Sequence, residues 1–381
     1  RIFDIIFRQR ELYPKPDALA AKVNGVWTPV STDEFIKTAE KVAYGLLALG
    51  VKKGDTIASI SSTNRFEWNF FDLAMMQIGA VHVPMYPTIS DQDYEFIFKD
   101  AGVKFVIVSD DSLYRRVTAV AKNIPAIEKI YTFDRIKDAE HWKTVLELGE
   151  KNPAPAKLEE LKKSVLPSDL TTLIYTSGTT GTPKGVMLSH NNLVSNIIAS
   201  YPFVPVDYTG KALSFLPLCH VYERMLNYLY QYAGISIYYA ESIEKVGDNL
   251  KEVKPTVFVA VPRVLEKIYD KIIAVGNQIT GIRHKLFFWA VDLGSRYELY
   301  GANGWWYNVK LSVARKLVFS KWAAAIGGNL KVVVSGGAAL QPRLARIFWA
   351  AGIPILEGYG LTETSPVIAV NNLNPGGAHF G

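Results

Sequence analysis

Between residues 55 and 110 the apolar and polar positions alternate in blocks rather than residue by residue. Short apolar runs at 56–60, 81–84 and 104–108 are separated by amphipathic stretches at 67–78 and 91–101, an order that predicts parallel β-α-β units. The same order returns at nearly the same spacing between 211 and 261, with runs at 212–216, 236–239 and 256–260 and amphipathic stretches at 221–233 and 243–253. An α/β fold of two stacked βαβ-type subdomains, forming a layered sandwich, is the economical reading. The segment 151–168 carries Pro153, Pro155 and Pro167 among lysines and glutamates, and buries too little apolar surface to order itself independently. The boundary is expected there, with 1–165 as the first subdomain and 166–381 as the second. Residues 283–328 mix Trp289, Trp305, Trp306 and Trp322 with Arg283, Lys285, Arg296, Lys310, Arg315, Lys316 and Lys321 at loosely helical spacing. They predict either buried helix or a membrane-facing surface.

Composition narrows the class. A chain of 381 residues with 49% hydrophobic content is long and apolar enough for two or more fused cores. The single cysteine, Cys219, cannot close an internal disulfide, and the six histidines show no zinc-like spacing, so a reducing compartment and no structural metal are expected. The formal charge of +6 favours anionic partners such as polyphosphates, coenzyme A or an acidic membrane surface, but is too mild to imply nucleic acid. No apolar run reaches the roughly 20 residues of a spanning helix, and residues 1–10 lack a signal-peptide pattern. A cytoplasmic protein, at most peripheral at a membrane, is the expectation.

Residues 171–185 carry the strongest chemical signal. An apolar strand runs into Thr176, Ser177, Gly178, Thr179, Thr180, Gly181 and Thr182, followed by Pro183, Lys184 and Gly185. Glycines let backbone N–H groups turn inward, the hydroxyls donate further hydrogen bonds, and Lys184 brings a mobile positive charge. The arrangement suits the phosphates of ATP; an ordinary Ser/Thr/Gly loop is the plain alternative. The Walker A loop does not fit, because Lys184 lies three residues after Gly181 and Gly185 stands where that loop keeps its magnesium-binding hydroxyl.

This stretch resembles the phosphate-binding signature of the adenylate-forming superfamily, which includes acyl-CoA synthetases, peptide-synthetase adenylation domains and luciferases. Three further segments agree in order: Leu216-Pro217-Leu218-Cys219-His220-Val221-Tyr222-Glu223-Arg224, then Val334-Ser335-Gly336-Gly337-Ala338-Ala339-Leu340, then Glu357-Gly358-Tyr359-Gly360-Leu361-Thr362-Glu363-Thr364. The resemblance makes the second of these an adenine-binding turn and the third a nucleotide and magnesium signature. Small residues at Gly336, Gly337 and Ala338 allow a flat base to lie against backbone, although a structural turn would look the same. Around Gly358, Tyr359 can stack on a base, Thr362 can bond a phosphate and Glu363 offers magnesium a hard oxygen, with Thr176 as a second ligand. A solitary glutamate is also a common solvated or capping residue. His220, between an apolar strand and a helix, could equally be a structural residue. The resemblance places it beside the carboxylate and α-phosphate, with a positioning or charge-stabilising role.

The reaction so implied is attack of a carboxylate on ATP, then transfer of the acyl group to coenzyme A, with Lys184, His220 and Glu363 as catalytic residues. Long-chain fatty acyl-CoA synthetases are the closest match, through residues 217–225, residues 261–268 and the Trp-rich segment. Tyr222, Tyr228, Tyr230 and Tyr232 could line an acyl tunnel or be plain core. The family continues beyond the equivalent of Gly381 with a ribose-binding Asp, a hinge and a C-terminal domain bearing the adenylation lysine. Residues 371–381, rich in Asn, Gly and Pro, read as a cut end lacking that domain. An adenylation domain that loads a carrier protein and a non-catalytic nucleotide-binding fragment are the rival readings. The former would carry an amino-acid-anchoring Asp where His220-Val221 stands.

Overall fold

The computed structural model describes residues 1–176 and 181–380. Its strands are β1 (Leu19–Val23), β2 (Val26–Val30), β3 (Thr56–Ile60), β4 (Val81–Met85), β5 (Val103–Val108), β6 (Lys129–Thr132), β7 (Glu140–His141), β8 (Leu170–Thr176), β9 (Lys184–Ser189), β10 (Lys211–Ser214), β11 (Ser236–Tyr239), β12 (Val257–Ala260), β13 (Val332–Ser335), β14 (Ile355–Gly360) and β15 (Val367–Val370). The block pattern finds its elements closely. The runs expected at 56–60 and 236–239 are β3 and β11, and the amphipathic stretch at 221–233 is the helix Val221–Ala233.

Two compact units result. One takes Arg1–Ala199, Phe215–Tyr239 and Thr362–Pro366; the other takes Ser200–Ser214, Ala240–Leu361 and Val367–Gly381. In the first, seven strands among the described residues lie in the order β7-β6-β5-β3-β4-β8-β9. All pair in parallel except β8 with β9. β4 is buried along its whole length and β5 almost so, which is why these strands read as continuous apolar runs rather than alternating ones. The same unit holds β11 and β1 in parallel, with β2 antiparallel to β1. In the second unit the order is β15-β14-β13-β12-β10, parallel except β14 with β15.

The division expected at residue 165 falls inside the first unit. β8 lies beyond that point, yet pairs with β4, His82 opposite Thr172, so one sheet continues across it. The segment expected to lack independent order contains the helix Pro155–Ser164, with proline in its first turn. Leu158 is buried, Lys162 lies over the Phe7 ring and Arg1 donates to the Lys162 and Val165 carbonyls. Tertiary contacts order a sequence whose own apolar content is too low.

The Trp-rich segment is part buried and part exposed. It forms the helices Gly281–Ser295, Trp305–Ala314 and Ser320–Ala325. Trp322 is buried against Phe287 and Phe319, whereas Trp305 and Trp306 are 68% and 69% exposed. Among the described residues no helix is long and apolar enough to cross a membrane.

Candidate active site

The phosphate-loop reading begins from the β8–β9 hairpin. Its register sets Thr176 opposite Lys184 and Tyr175 opposite Gly185, so the two strands deliver Thr176 and Lys184 as a facing pair at the loop end of the hairpin. A Cβ on Gly185 would lie 3.1 Å from the Tyr175 ring, and glycine there lets the ring cross the partner strand. The Tyr175 hydroxyl donates to Asp100, anchoring that end of β8. Lys184, Gly181 and Thr182 are exposed, and Gly181 adopts φ +83°, a conformation that favours glycine. Ser177, Gly178, Thr179 and Thr180 lie outside the described residues.

The short 3₁₀ turn Thr362–Thr364 comes to the same hairpin. Its Cα atoms lie within 8 Å of those of β9, although some 170 residues of chain separate them. Glu363 is exposed and Thr362 half-buried in this turn. Thus Lys184 and Glu363 stand on neighbouring elements. Among the described residues no group of three or more His, Cys, Asp or Glu side chains gathers as a metal cage.

His220 is the N-cap of the helix Val221–Ala233, and its Nδ1 accepts the Tyr222 backbone N–H at 3.2 Å. Burial holds its pKa below the ordinary histidine value, so the ring is neutral at pH 7. With Nδ1 accepting, the proton of the neutral ring sits on Nε2, which makes His220 a hydrogen-bond donor toward a ligand rather than a base. The adjacent Tyr222 hydroxyl is buried and has no hydrogen-bond partner among the described residues. Of the other three tyrosines, two are core and the third is half-buried. Tyr228 donates to Asp72, Tyr230 is buried, and Arg8 lies over the Tyr232 ring.

In the second unit the small-residue turn follows β13. Ser335 pairs with Glu357, which sets the turn at Gly336, Gly337 and Ala338 beside Gly358 and Tyr359, at the carboxyl ends of adjacent parallel strands. Ligands of open α/β sheets bind at such ends. The Gly336 N–H donates to the Ala260 carbonyl, Gly337 has φ +82°, and Ala338 is exposed. Tyr359 is 64% exposed, leaving its ring free to stack. The Ser335 hydroxyl is buried without a hydrogen-bond partner among the described residues, a polar atom that a ligand at this edge could satisfy.

One polar cluster escaped the motif reading. Asp72, His82, Arg224 and Tyr228 form a buried network in the first unit. Burial pushes the Asp72 carboxyl up, but the Arg224 charge and the His82 and Tyr228 bonds more than offset this and hold it below the usual carboxylate range. Burial drives His82 down to about 4. The available signal was Arg224 itself, a charge among the apolar positions of an amphipathic helix.

The chain is 33% identical over 366 residues to the long-chain-fatty-acid–CoA ligase FadD15 of Mycobacterium bovis, covering 92% of this chain and 59% of that protein. It is 31% identical to the long-chain-fatty-acid–CoA ligase ACSBG2 of Xenopus laevis, over 91% of this chain and 49% of that one. The chain therefore spans half to three fifths of the length of these curated relatives. Its fold is similar to that of a long-chain-fatty-acid–CoA ligase from Archaeoglobus fulgidus, with TM-score 0.71 at 20% identity over 98% of this chain and 66% of that one. The adenylation domain of a carboxylate reductase from Mycobacterium chelonae is similar at TM-score 0.74 and 20% identity, over 97% and 59%. Because the family model described as AMP-binding enzyme matches residues 7–379, nearly the whole chain rather than a single loop, the chain belongs to the AMP-binding enzyme family.

Proposed function

We propose that this chain is the nucleotide-binding large part of a long-chain fatty acid–CoA ligase, which activates the acid with ATP and passes the acyl group to coenzyme A. The observation that carries the reading is the meeting of the Thr362–Thr364 turn with β9, which brings Glu363 and Lys184 to one hairpin from distant parts of the sequence. The relatives named as fatty-acid ligases support the substrate class.

A carboxylate is already ionised at neutral pH and needs no base. Its oxygen forms a bond to the α-phosphorus of ATP while the bond from that phosphorus to the bridging oxygen breaks and pyrophosphate leaves. Catalysis is then alignment and neutralisation of charge. Lys184 meets the phosphate charge, and His220 presents Nε2–H as a donor to the carboxylate or α-phosphate. The edge formed by Ser335, Gly336, Gly337, Ala338, Gly358 and Tyr359 accepts the adenine. Magnesium would be held by the hard oxygens of Glu363 and Thr176, and would neutralise phosphate charge. A site with so few protein oxygens suits an ion that keeps water and phosphate in its shell. In the second half-reaction the thiol of coenzyme A attacks the acyl carbonyl and AMP leaves.

ATP–pyrophosphate exchange with palmitate tests the reading in the intact enzyme. Lys184→Ala should lower exchange about 100-fold, the loss typical of one preorganised charge donor. Wild-type exchange with no fatty acid of any length would overturn it. Exchange followed by transfer to a carrier protein but not to coenzyme A would replace the ligase with a carrier-loading domain.

The exposed helical segment supports peripheral contact with an anionic membrane. Trp305, Val309, Val313 and Leu317 recur every four residues and are exposed together with Trp306. Lys310, Lys316 and Lys321 flank them, and no Asp or Glu occurs from residue 299 to residue 356. Interfacial tryptophans prefer the headgroup zone, and each nearby Lys contributes about 1 kcal/mol toward an anionic bilayer. Co-sedimentation with anionic but not neutral vesicles, weakened by salt, is the expected result.

A further inference from the structure

We propose that Arg224 is a positioning residue that fixes the strand leading into the phosphate loop against the helix capped by His220, an inference that rests on the adenylation reading above. Arg224 lies one helical turn after His220, and its backbone N–H donates to the His220 carbonyl at 3.1 Å. Its guanidinium then joins its own helix to two other elements. Nε donates to the Tyr228 hydroxyl at 2.6 Å, Nη1 to the Thr172 hydroxyl at 2.7 Å and Nη2 to Asp72. Thr172 lies on β8, four residues before Thr176 and on the same face of the strand, since side chains alternate with period two. The Thr172 hydroxyl itself donates to the His82 carbonyl on β4 at 2.7 Å, so it is engaged both as acceptor and as donor.

The rest of the network holds that fork still. Asp72, on the helix Phe66–Ile78, accepts from Arg224, from the Tyr228 hydroxyl at 2.5 Å and from His82 Nδ1 at 2.7 Å. Because a carboxylate only accepts, Nδ1 carries the His82 proton, and Nε2 accepts from the Ser59 hydroxyl, which in turn accepts from the Trp68 indole N–H. Every member is buried. A planar guanidinium whose donors point in set directions transmits position in a way a flexible ammonium cannot. A structural ion pair would need only Asp72 and Arg224. The bond to Thr172 adds a link from that pair to the strand whose last residue opens the phosphate loop.

The test targets this link and leaves the ion pair intact. In the intact enzyme, Thr172→Val removes the hydroxyl at constant shape, and ATP–pyrophosphate exchange is measured as separate kcat and KM for ATP. The expected outcome is a kcat lowered about tenfold or more, with KM for ATP changed less than about threefold, as for a misplacement remote from the chemistry. Thr172→Ser, which keeps the hydroxyl, should recover most of the kcat. Leu113→Ala, in the core of the same sheet, serves as a control matched for thermal stability, and should leave kcat near wild type. Three results would overturn the proposal: a Thr172→Val kcat within about twofold of wild type, equal loss in Thr172→Ser, or equal loss in the matched control. Wild-type enzyme inactive in exchange would instead overturn the adenylation reading, and this inference with it.

Discussion

The molecule uses tryptophan, tyrosine and cations in two opposite ways. Around Arg224, Trp68, Tyr228 and His82 are buried and every polar atom named in the network is bonded, so removing one member strands another in a low dielectric. Along Trp305–Ala314 and the turn that follows it, Trp305 and Trp306 stand in solvent with Lys310 and Lys316 exposed nearby. These four side chains face water, while the half-buried Tyr307 and the exposed Arg315 of the same stretch donate to the Leu293 and Ala350 carbonyls. Burial, more than residue type, decides whether such a cluster sets geometry or offers a surface.

The sharpest way to break this contrast is to remove one charge from each region. Arg224→Ala leaves Asp72 buried and uncompensated, and should cost about 3–5 kcal/mol, seen as lost soluble yield and a much lower thermal midpoint. Lys310→Ala, on the exposed helical segment, should stay within about 0.5 kcal/mol. Equal losses would remove the distinction.

Acid should act on the buried region next. His82 has a folded pKa of about 4 against 6.5 unfolded, so between those values the unfolded chain binds the extra proton and stability falls as pH drops. The slope is about 1.4 kcal/mol per pH unit for one such group. Urea midpoints from pH 7 to pH 4.5 should show it, and His82→Gln, though less stable throughout, should remove its share of the slope, while His190, which burial also holds at about 4, keeps its own. An unchanged slope in that variant would assign the acid sensitivity elsewhere.

The smallest effect on folding is expected at the surface. Trp305→Ser with Trp306→Ser should alter stability by less than about 0.5 kcal/mol. The same change should abolish binding to anionic vesicles, measured by co-sedimentation. Retained binding would leave the exposed stripe without a role at lipid.

Much of this protein was legible in its residues. The blocks at 56–60, 221–233 and 236–239 mark elements because parallel strands covered on both faces and the helices between them impose different apolar periods. The loop after Thr176 was conspicuous because it gathers glycine, hydroxyls and a single lysine, the local residue types that the proposed phosphate binding would use. Pairings distant in sequence were not legible. That β8 joins the sheet of β4, that the Thr362–Thr364 turn settles on β9, and that Arg224 meets Asp72 and Thr172 all depend on chain closure over tens to hundreds of residues. Likewise Trp322 and Trp305 belong to one compositional run, yet only packing against Phe287 and Phe319 buries the former. Sequence by itself determined the local elements and the chemistry each could carry, because backbone period and side-chain type are local properties. Tertiary structure alone decided which of these groups meet and which face water, because burial and hydrogen-bond partnership are properties of the assembled fold.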